Sequence, residues 1–392
     1  MKNNNLILTN GTAYTPSGII ANASIIIEQG KIKAIYSKKT PLDIGSSQVF
    51  DVKGALICPG FIDIHNNGGG GVLVMDGKYE SIKLVAQAHA RNGTTSFVPT
   101  TVAWSDDEQI AAISASVEAA RKGTGGSKVI GIHMEGPFLN PAKGGAHNPK
   151  YLQSPSIKQF DKFYDASQGM LKIMTLSPEL PGALDLIRYI RGKGVVVSVG
   201  HTTANYNQAL EAIEAGVGLC AHIMNAMPPI TAREPSITTA MLTSKDTMAE
   251  LITDGVHVHP ALVKLVIKTK GIDHVIIVTD STPPSGTKNA TWTLEGTTVT
   301  VKGYTGYLPD GTIAGSALTM GSAVRITKEI TGLSLENILP MASANAARLL
   351  GVDKSKGTLE VGKDADIVVM SDDTKMEILA TIVEGELVHK GN

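Results

Sequence analysis

Cysteine is scarce in this sequence, which contains only two such residues, Cys58 and Cys220. A secreted domain stabilised by a disulfide framework is therefore not expected. The sequence also has no apolar run that approaches the roughly 18 to 20 residues of a membrane-spanning helix. Its first residues lack the apolar stretch and the small-residue cleavage site of a signal peptide. Together these absences predict a cytoplasmic protein with no membrane partner.

An excess of either charge is also missing, because 35 Lys and Arg residues balance 36 Asp and Glu residues and the formal net charge is −1. Proteins that bind nucleic acids or membrane surfaces usually carry a basic patch or run. We therefore expect no nucleic-acid partner. A small anionic substrate remains compatible with this balance, since a few local Arg and His residues can bind an anion without changing the net charge.

Short β-like runs separated by turn residues fill both ends of the chain. They include Leu6–Leu8, Ser24–Ile27 and Ile32–Ile35 near the N-terminus, and Ile367–Met370 and Ile378–Val383 near the C-terminus. Such runs are typical of antiparallel sheet, and the two ends of a domain usually lie close together. We predict that residues 1–58 and 350–392 form one small β-sandwich domain. Two unrelated β pieces are the alternative.

Residues 59–349 instead alternate apolar, β-rich runs with helical patterns such as Tyr79–Asn92, Asp107–Lys122 and Tyr206–Ala215, which is typical of parallel βα units. The eight β-rich runs are Phe61–His65, Ser96–Pro99, Val129–Met134, Leu171–Leu176, Val195–Val199, Leu219–Ile223, Ala249–Thr253 and Val275–Thr279. Eight units predict an α/β fold with a (β/α)8 barrel. A doubly wound open sheet is the alternative, but no Gly-x-Gly-x-x-Gly pattern follows the first run to support it. A β-rich stretch, Thr291–Asp310, follows the eighth run, where a hairpin could cover a pocket.

Polar residues end six of the eight runs, and these residues can bind a metal or transfer a proton. They are His65, Glu135, His201, His222, Asp254 with the nearby His257, and Asp280. A single His near a strand end is more often structural, and a single Asp after a strand is more often a helix N-cap. The carboxyl ends of barrel strands meet at one face, however, where the active sites of such barrels lie. We therefore expect these side chains to converge.

Converging imidazole and carboxylate groups suit a divalent metal such as zinc. A bound metal lowers the pKa of water towards ~7, and a carboxylate nearby can accept the proton. This division of labour predicts hydrolysis of an unactivated amide. A serine hydrolase is not indicated, because Gly-x-Ser-x-Gly does not occur between a strand and a helix.

Several sequence blocks occur in a recognisable order along nearly the whole chain. They are Pro59–Gly68, His133–Asn140, Gly144–Pro149, Gly200–Thr202, His222–Pro228, Arg233–Pro235, Asp254–His257, Thr279–Asp280, Gly315–Met320, Ala344–Arg348 and Gly362–Asp366. These blocks resemble the amidohydrolase superfamily and, within it, the family of N-acetylglucosamine-6-phosphate deacetylases. The His-x-Glu-Gly-Pro and Asn-Ala-Met-Pro blocks are the most specific.

The resemblance implies chemical roles for five residues. Glu135, His201 and His222 match the metal ligands. Asp280 matches the catalytic acid/base, which deprotonates water and then protonates the amine. His147 matches a residue that contacts the substrate and polarises the acetyl carbonyl.

The resemblance also implies how the sugar phosphate is bound. Asn225 and Ala226 match a phosphate-binding turn, and Arg233 and His257 match contacts to the sugar phosphate. In this family a neighbouring subunit completes the pocket, so a homodimer is implied.

The end of the first run departs from the family patterns. Many amidohydrolases have His-x-His there, whereas single-metal deacetylases have Gln-x-Asn, and this sequence has His65 and Asn67. We therefore include His65 among the metal-site residues. We expect one firmly bound divalent metal per subunit with a weak second site, with zinc as the first choice and iron, cobalt or manganese as alternatives.

The reaction implied by the resemblance is hydrolysis of N-acetyl-D-glucosamine 6-phosphate to D-glucosamine 6-phosphate and acetate. The galactosamine epimer is an alternative substrate, since one or two loop residues can distinguish one inverted hydroxyl. Hydrolysis of a cyclic amide or a dipeptide is a further alternative, which the blocks at Asn225 and Arg233 disfavour. A non-catalytic barrel is disfavoured because the metal-site residues and Asp280 are all present.

Overall fold

A computed structural model describes residues 5–37 and 48–391 of the chain. The N-terminal segment forms β1 (Leu6–Thr15), β2 (Gly18–Glu28), β3 (Lys31–Tyr36), β4 (Gln48–Asp51) and β5 (Leu56–Pro59). Strand β1 pairs antiparallel with β2, while its two halves pair in parallel with β4 and β5 in turn. The register shifts at Gly11, where an added Cβ would lie 2.5 Å from Cδ1 of Ile57. A larger residue at this bend would force the side chains of Ile57 and Val52 to shift.

The next strands build the barrel. They are β6 (Phe61–Asn66), β7 (Gly68–Gly69), β8 (Val72–Leu73), β9 (Thr94–Thr101), β10 (Lys128–Val129), β11 (Ile132–Glu135), β12 (Leu171–Leu176), β13 (Val196–Val199), β14 (Val217–Cys220), β15 (Met248–Leu251) and β16 (Val275–Ile277). Strands β6, β9 and β11 to β16 are parallel neighbours in that order, β10 also pairs with β9, and β7 and β8 form a separate small pair.

The barrel closes at the carboxyl ends of its first and last strands. The amide of Asp280 donates to the carbonyl of His65 at 2.9 Å, and the amide of Asn67 donates to the carbonyl of Ser281 at 2.8 Å. The predicted (β/α)8 barrel is confirmed. The third predicted run is divided into β10 and β11.

Seven α-helices lie between these strands. They are α1 (Tyr79–Ala90), α2 (Asp106–Lys122), α3 (Ile157–Ala166), α4 (Ala183–Gly192), α5 (Tyr206–Ala215), α6 (Ile237–Thr243) and α7 (Pro260–Lys270). Four of them (α2, α3, α5 and α7) begin after a residue whose side chain caps the helix. At α5, Oδ1 of Asn205 accepts a hydrogen bond from the amide of Gln208 at 3.0 Å, and the Gln208 side chain accepts from the Asn205 amide. This helix has the predicted bounds, whereas α1 ends two residues earlier than expected. Within the described residues, no helix has the length and apolar character needed to cross a membrane.

A four-stranded antiparallel sheet follows the eighth barrel strand. It consists of β17 (Thr291–Leu294), β18 (Thr297–Lys302), β19 (Thr305–Tyr307) and β20 (Ile313–Ser316), each paired with the next. The predicted β-rich stretch is thus present and extends six residues further. Its side chains form part of a cavity wall described below.

The C-terminal part returns to the N-terminal strands. It forms α8 (Met320–Thr331), α9 (Leu335–Ala342), α10 (Ala344–Leu349), β21 (Ile367–Met370), β22 (Ile378–Val383) and β23 (Glu386–Lys390). Strand β21 pairs antiparallel with β5, so strands from both ends form a single eight-stranded sheet. The predicted small β domain is confirmed, and apolar residues such as Leu8, Ile25 and Ile382 form its own buried core. The boundaries at residues 58 and 350 remain a prediction.

Three barrel strands end earlier than the sequence predicts. Strand β14 ends two residues before His222, strand β15 ends at Leu251, and strand β16 ends three residues before Asp280. His201, His222 and Asp280 have φ angles of 49°, 25° and 47°. These left-handed conformations cannot continue a strand, so our placement of His222 within a strand was wrong.

Candidate active site

A cavity of about 490 Å³ opens at the carboxyl ends of the barrel strands. Eight of the ten predicted site residues line it, and these are Glu135, His147, His201, His222, Asn225, Ala226, His257 and Asp280. Apolar side chains, including Trp104, Trp292 and Leu294, form much of the remaining wall. The cavity thus combines a polar floor with an apolar rim, which is usual for a small-molecule site.

Three ligand-type atoms meet on the cavity floor. Oε1 of Glu135 lies 3.0 Å from Nε2 of His201 and 2.9 Å from Nε2 of His222, and the two nitrogens are 3.2 Å apart. Glu135 ends β11, while the two histidines follow β13 and β14 in left-handed conformations. Such strained positions cost on the order of 1–3 kcal/mol each and cluster at functional sites.

These three groups fit a divalent cation. A four-coordinate cation with bonds of about 2.0–2.1 Å requires ligand atoms roughly 3.3 Å apart, close to the distances observed. Nδ1 of His201 lies 2.9 Å from the carbonyl oxygen of Lys143, which holds the proton on Nδ1 and leaves the Nε2 lone pair available. Burial lowers the pKa of His201 to about 4, so its imidazole is neutral.

Charges around Glu135 keep it ionised. Burial alone would raise the pKa of this carboxyl, but the charge of His65 and hydrogen bonds from His147, His201 and His222 hold the pKa well below its ordinary value. An ionised carboxylate beside the neutral imidazole of His201 is the protonation state that a cation site requires of these two groups.

Asp280 lies beside this group on the rim of the floor. Its Oδ1 accepts a hydrogen bond of 2.7 Å from Nδ2 of Asn67 and lies 3.7 Å from Nε2 of His65. Burial raises the pKa of Asp280, and the charge of Glu135 raises it further against the opposing effect of His65 and His222. A raised carboxyl pKa suits a group that both accepts and donates a proton.

His147 also contacts the floor, where its ring lies edge-on to that of His201 at 4.7 Å between centroids. Its Nδ1 accepts a hydrogen bond of 3.4 Å from the amide of Ala103, and its Nε2 lies 3.6 Å from Oε2 of Glu135. Because Nδ1 is the acceptor, the proton of the neutral ring is on Nε2. His147 therefore presents an N–H donor to the cavity.

Three of the predicted phosphate-binding residues, Asn225, Ala226 and His257, also line the cavity. The amide of Asn225 donates to the carbonyl of His222 at 2.9 Å, and Ala226 has a φ of 50° in the same turn. Nδ1 of His257 lies 2.6 Å from Oδ2 of Asp254, and no described residue forms a hydrogen bond with its buried Nε2. The turn and the imidazole thus offer polar groups to a ligand.

Arg233 is the one predicted contact residue that the fold does not bring to the cavity. It is exposed on the loop between β14 and α6, and it is absent from the described residues that line the cavity. The cavity of its own chain therefore has no contribution from this arginine in the structure, and its predicted contact with the sugar phosphate stays a prediction.

His65 lies beneath the cavity floor and is fully buried. Its Nε2 is 3.4 Å from Oε2 of Glu135, and its Nδ1 is 2.7 Å from Oε2 of Glu250. Sequence reasoning missed Glu250, because it did not recognise a lone acid inside an apolar strand. The signal was present, since Glu250 lies between Ala249 and Leu251 in a barrel strand whose other residues are all apolar.

Comparisons with known proteins agree with this geometry. Residues 56–388 match the model of the amidohydrolase family. The chain is 34% identical over 389 residues to N-acetylglucosamine-6-phosphate deacetylase of Bacillus subtilis (strain 168), covering 97% of this chain and 96% of that protein. It is 34% identical over 373 residues to N-acetylgalactosamine-6-phosphate deacetylase of Escherichia coli O157:H7, covering 95% and 96%.

A solved structure shows that the likeness extends to the whole fold. It is a Mycobacterium smegmatis N-acetyl-D-glucosamine-6-phosphate deacetylase, with one aspartate replaced by alanine, in complex with N-acetyl-D-glucosamine 6-phosphate. The TM-score is 0.90 at 29% identity, covering 98% of this chain and 99% of that one.

Proposed function

Because the chain belongs to the amidohydrolase family, we propose that it removes the acetyl group from N-acetyl-D-glucosamine 6-phosphate, giving D-glucosamine 6-phosphate and acetate. The observation that carries this proposal is the convergence of Glu135, His201 and His222 beside Asp280 on the cavity floor. The extent of the identity to a deacetylase of that substrate supports the choice of sugar.

Glu135, His201 and His222 would hold the divalent cation. Zinc is our first choice, since two imidazoles and one carboxylate are a common zinc ligand set, although iron, cobalt or manganese would also suit it. We expect one firmly bound cation per subunit and a weaker second one near His65. The bound cation would supply Lewis acidity that polarises the acetyl carbonyl and makes a water molecule more acidic.

Two side chains would then move or donate protons. Asp280 would accept a proton from the attacking water through its carboxylate and later donate it to the amine nitrogen as the C–N bond breaks. His147 would donate its Nε2–H to the carbonyl oxygen as negative charge develops there. The amide of Ala103, which donates to Nδ1, would keep the His147 proton on the required nitrogen.

The phosphate group would bind at the far wall. The backbone turn of Asn225 and Ala226 would provide polar contacts together with the unpartnered Nε2 of His257. Arg233 would reach the phosphate from the other subunit of a homodimer, which is consistent with its exposure outside its own cavity. We place the enzyme in the cytoplasm, where the free, buried Cys58 and Cys220 would remain reduced.

The galactosamine epimer is the second candidate substrate, since the chain is also 34% identical to a deacetylase of that compound. Purified enzyme with a defined divalent cation should be assayed for acetate release from both 6-phosphates and from unphosphorylated N-acetyl-D-glucosamine. We expect the gluco 6-phosphate to have the highest kcat/KM. A higher value for the galacto 6-phosphate would replace the first choice with the second. Equal turnover of phosphorylated and unphosphorylated sugars would reject both and favour another amide substrate.

A further inference from the structure

Glu250 is a fully buried acid in the middle of barrel strand β15. Its carboxylate has no cationic Lys or Arg side chain within ion-pair distance among the described residues, and its close contacts are to the site histidines instead. Burying a carboxylate is costly unless it is hydrogen-bonded. The groups that form hydrogen bonds with the Glu250 carboxylate should therefore explain why an acid is buried at this position.

A single oxygen of Glu250 contacts two residues of the cation site. Oε2 lies 2.7 Å from Nδ1 of His65 and accepts a hydrogen bond of 3.1 Å from the backbone amide of His222. These contacts join strand β6 and the loop after β14 to strand β15. The hydrogen bond from the His222 amide holds a backbone whose φ of 25° is unfavourable for a residue with a side chain.

The contact with His65 determines which ring nitrogen faces the cation site. Since a carboxylate oxygen can only accept, Nδ1 of His65 carries the proton and donates it to Glu250. The other nitrogen, Nε2, lies 3.4 Å from Oε2 of Glu135, and no hydrogen bond to a described residue involves it. It is therefore oriented towards the same carboxylate that contacts His201 and His222.

His133 does not compete for this role, although it is packed edge-on against His65 at 4.6 Å between ring centroids. Nε2 of His133 lies 2.7 Å from Oγ1 of Thr175, and its Nδ1 lies 3.2 Å from the carbonyl oxygen of Ile64. Both nitrogens of this ring are thus engaged by the protein. His65, held by Glu250, is therefore the one of these two rings that has a nitrogen free to face Glu135.

We propose that Glu250 is a positioning residue that makes His65 a ligand of the weaker second cation, by fixing its Nε2 towards Oε2 of Glu135 while anchoring the strained backbone of His222. This inference rests on the proposed function in so far as it assumes a divalent cation at Glu135. Carboxylate partners of this kind typically change cation affinity by about 10- to 100-fold. The activity of the enzyme would depend on Glu250 only through the cation.

The test measures cation binding directly in Glu250→Gln and Glu250→Ala, with Glu214→Gln on the exposed face of α5 as the matched control. Dissociation constants for Zn²⁺ would be obtained by competition with a chromophoric chelator. The visible spectrum of the Co²⁺-substituted protein would report the ligand set. Circular dichroism and thermal unfolding would show which variants are folded.

We expect Glu250→Gln, which keeps an acceptor but loses the charge, to weaken cation binding by about 10-fold. Glu250→Ala, which loses both the acceptor and the charge, should weaken cation binding by on the order of 100-fold and alter the Co²⁺ spectrum. The Glu214→Gln control should match the unchanged protein in both measurements. A folded Glu250→Gln protein with unchanged affinity and spectrum would overturn the inference, even if Glu250→Ala fails to fold.

A double-mutant cycle with His65→Gln separates positioning from a general structural effect. If Glu250 acts through His65, Glu250→Gln should weaken cation binding by less than about 3-fold when His65 is already replaced. An undiminished effect in that background would contradict the inference. Absence of deacetylation by the unchanged enzyme would refute the proposed function separately, because the cation measurements do not use the sugar.

Discussion

Replacing Asp280 with Asn tests the proton-transfer step with little change of shape. The side-chain oxygen of the asparagine can still accept the hydrogen bond that Nδ2 of Asn67 donates at 2.7 Å. The amide cannot, however, take a proton from water or return one to the amine. General acid or base catalysis typically contributes about 10²- to 10⁴-fold. Because Asp280 would act in both steps, we expect a loss of kcat of about 10³- to 10⁴-fold, or about 4–5.5 kcal/mol of barrier.

The assay is steady-state acetate release from N-acetyl-D-glucosamine 6-phosphate, with cation content measured on the same samples. The predicted pattern is a large loss of kcat, a small change in KM and an unchanged cation content, because Asp280 is separate from the three-ligand group. Asp185→Asn on the exposed face of α4, where the acid pairs with Arg188 at 3.1 Å, is the control. A kcat within tenfold of the unchanged enzyme would refute the role of Asp280, as would a parallel loss of cation.

Three further predictions concern the fold and the assembly. Gly11→Ala places a Cβ 2.5 Å from Cδ1 of Ile57, so it should lower the free energy of unfolding by about 1–3 kcal/mol in urea denaturation; no loss would contradict the packing argument. Lys356→Met removes the ammonium that lies within 3.3 Å of Asp364, Asp366 and Glu384. Lys31 and Lys128 still pair with Asp364 and Glu384, but the buried Asp366 loses its cationic partner, so we expect a cost of about 3–5 kcal/mol by the same measurement; an unchanged free energy of unfolding would contradict this. Mixing the inactive Arg233→Ala and Asp280→Asn proteins after subunit exchange should restore about a quarter of full turnover, since half the dimers would hold one complete pocket; no recovery would argue against a shared pocket.

The barrel could be predicted from the sequence because its strands are apolar and several of its helices begin at a clear capping residue. Parallel strands covered on both faces give continuous apolar runs, and all eight runs correspond to barrel strands in the structure. Residues such as Asn205 fix helix starts through local hydrogen bonds, which a sequence displays directly. Local signals of this kind require no knowledge of distant contacts.

The ends of the strands were less accessible. His222 and Asp280 are not glycines, so the sequence gives no sign that their φ angles are positive. These conformations are stabilised by distant groups, as when the amide of Asp280 donates to the carbonyl of His65. The predicted strands therefore ran too far.

The sequence predicted the residues on the cavity floor, but not Glu250, which contacts them from the neighbouring strand. Glu135, His201, His222 and Asp280 were found because each follows an apolar run at the same end of the barrel. Glu250 lies inside such a run, and its importance depends on a contact with His65, 185 residues away in the sequence. A pairwise contact of that kind is visible only once the chain is folded.

The most direct test of the account measures acetate release from N-acetyl-D-glucosamine 6-phosphate by the enzyme without its cation and again after the cation is restored. The enzyme would be stripped with a chelator, reconstituted with one equivalent of Zn²⁺ per subunit, and incubated with N-acetyl-D-glucosamine 6-phosphate while NMR follows the acetyl signal. We predict that acetate and D-glucosamine 6-phosphate appear in equal amounts only after reconstitution. Equal rates in the stripped and reconstituted enzyme, or no acetate with any of the four divalent metals considered, would contradict the account.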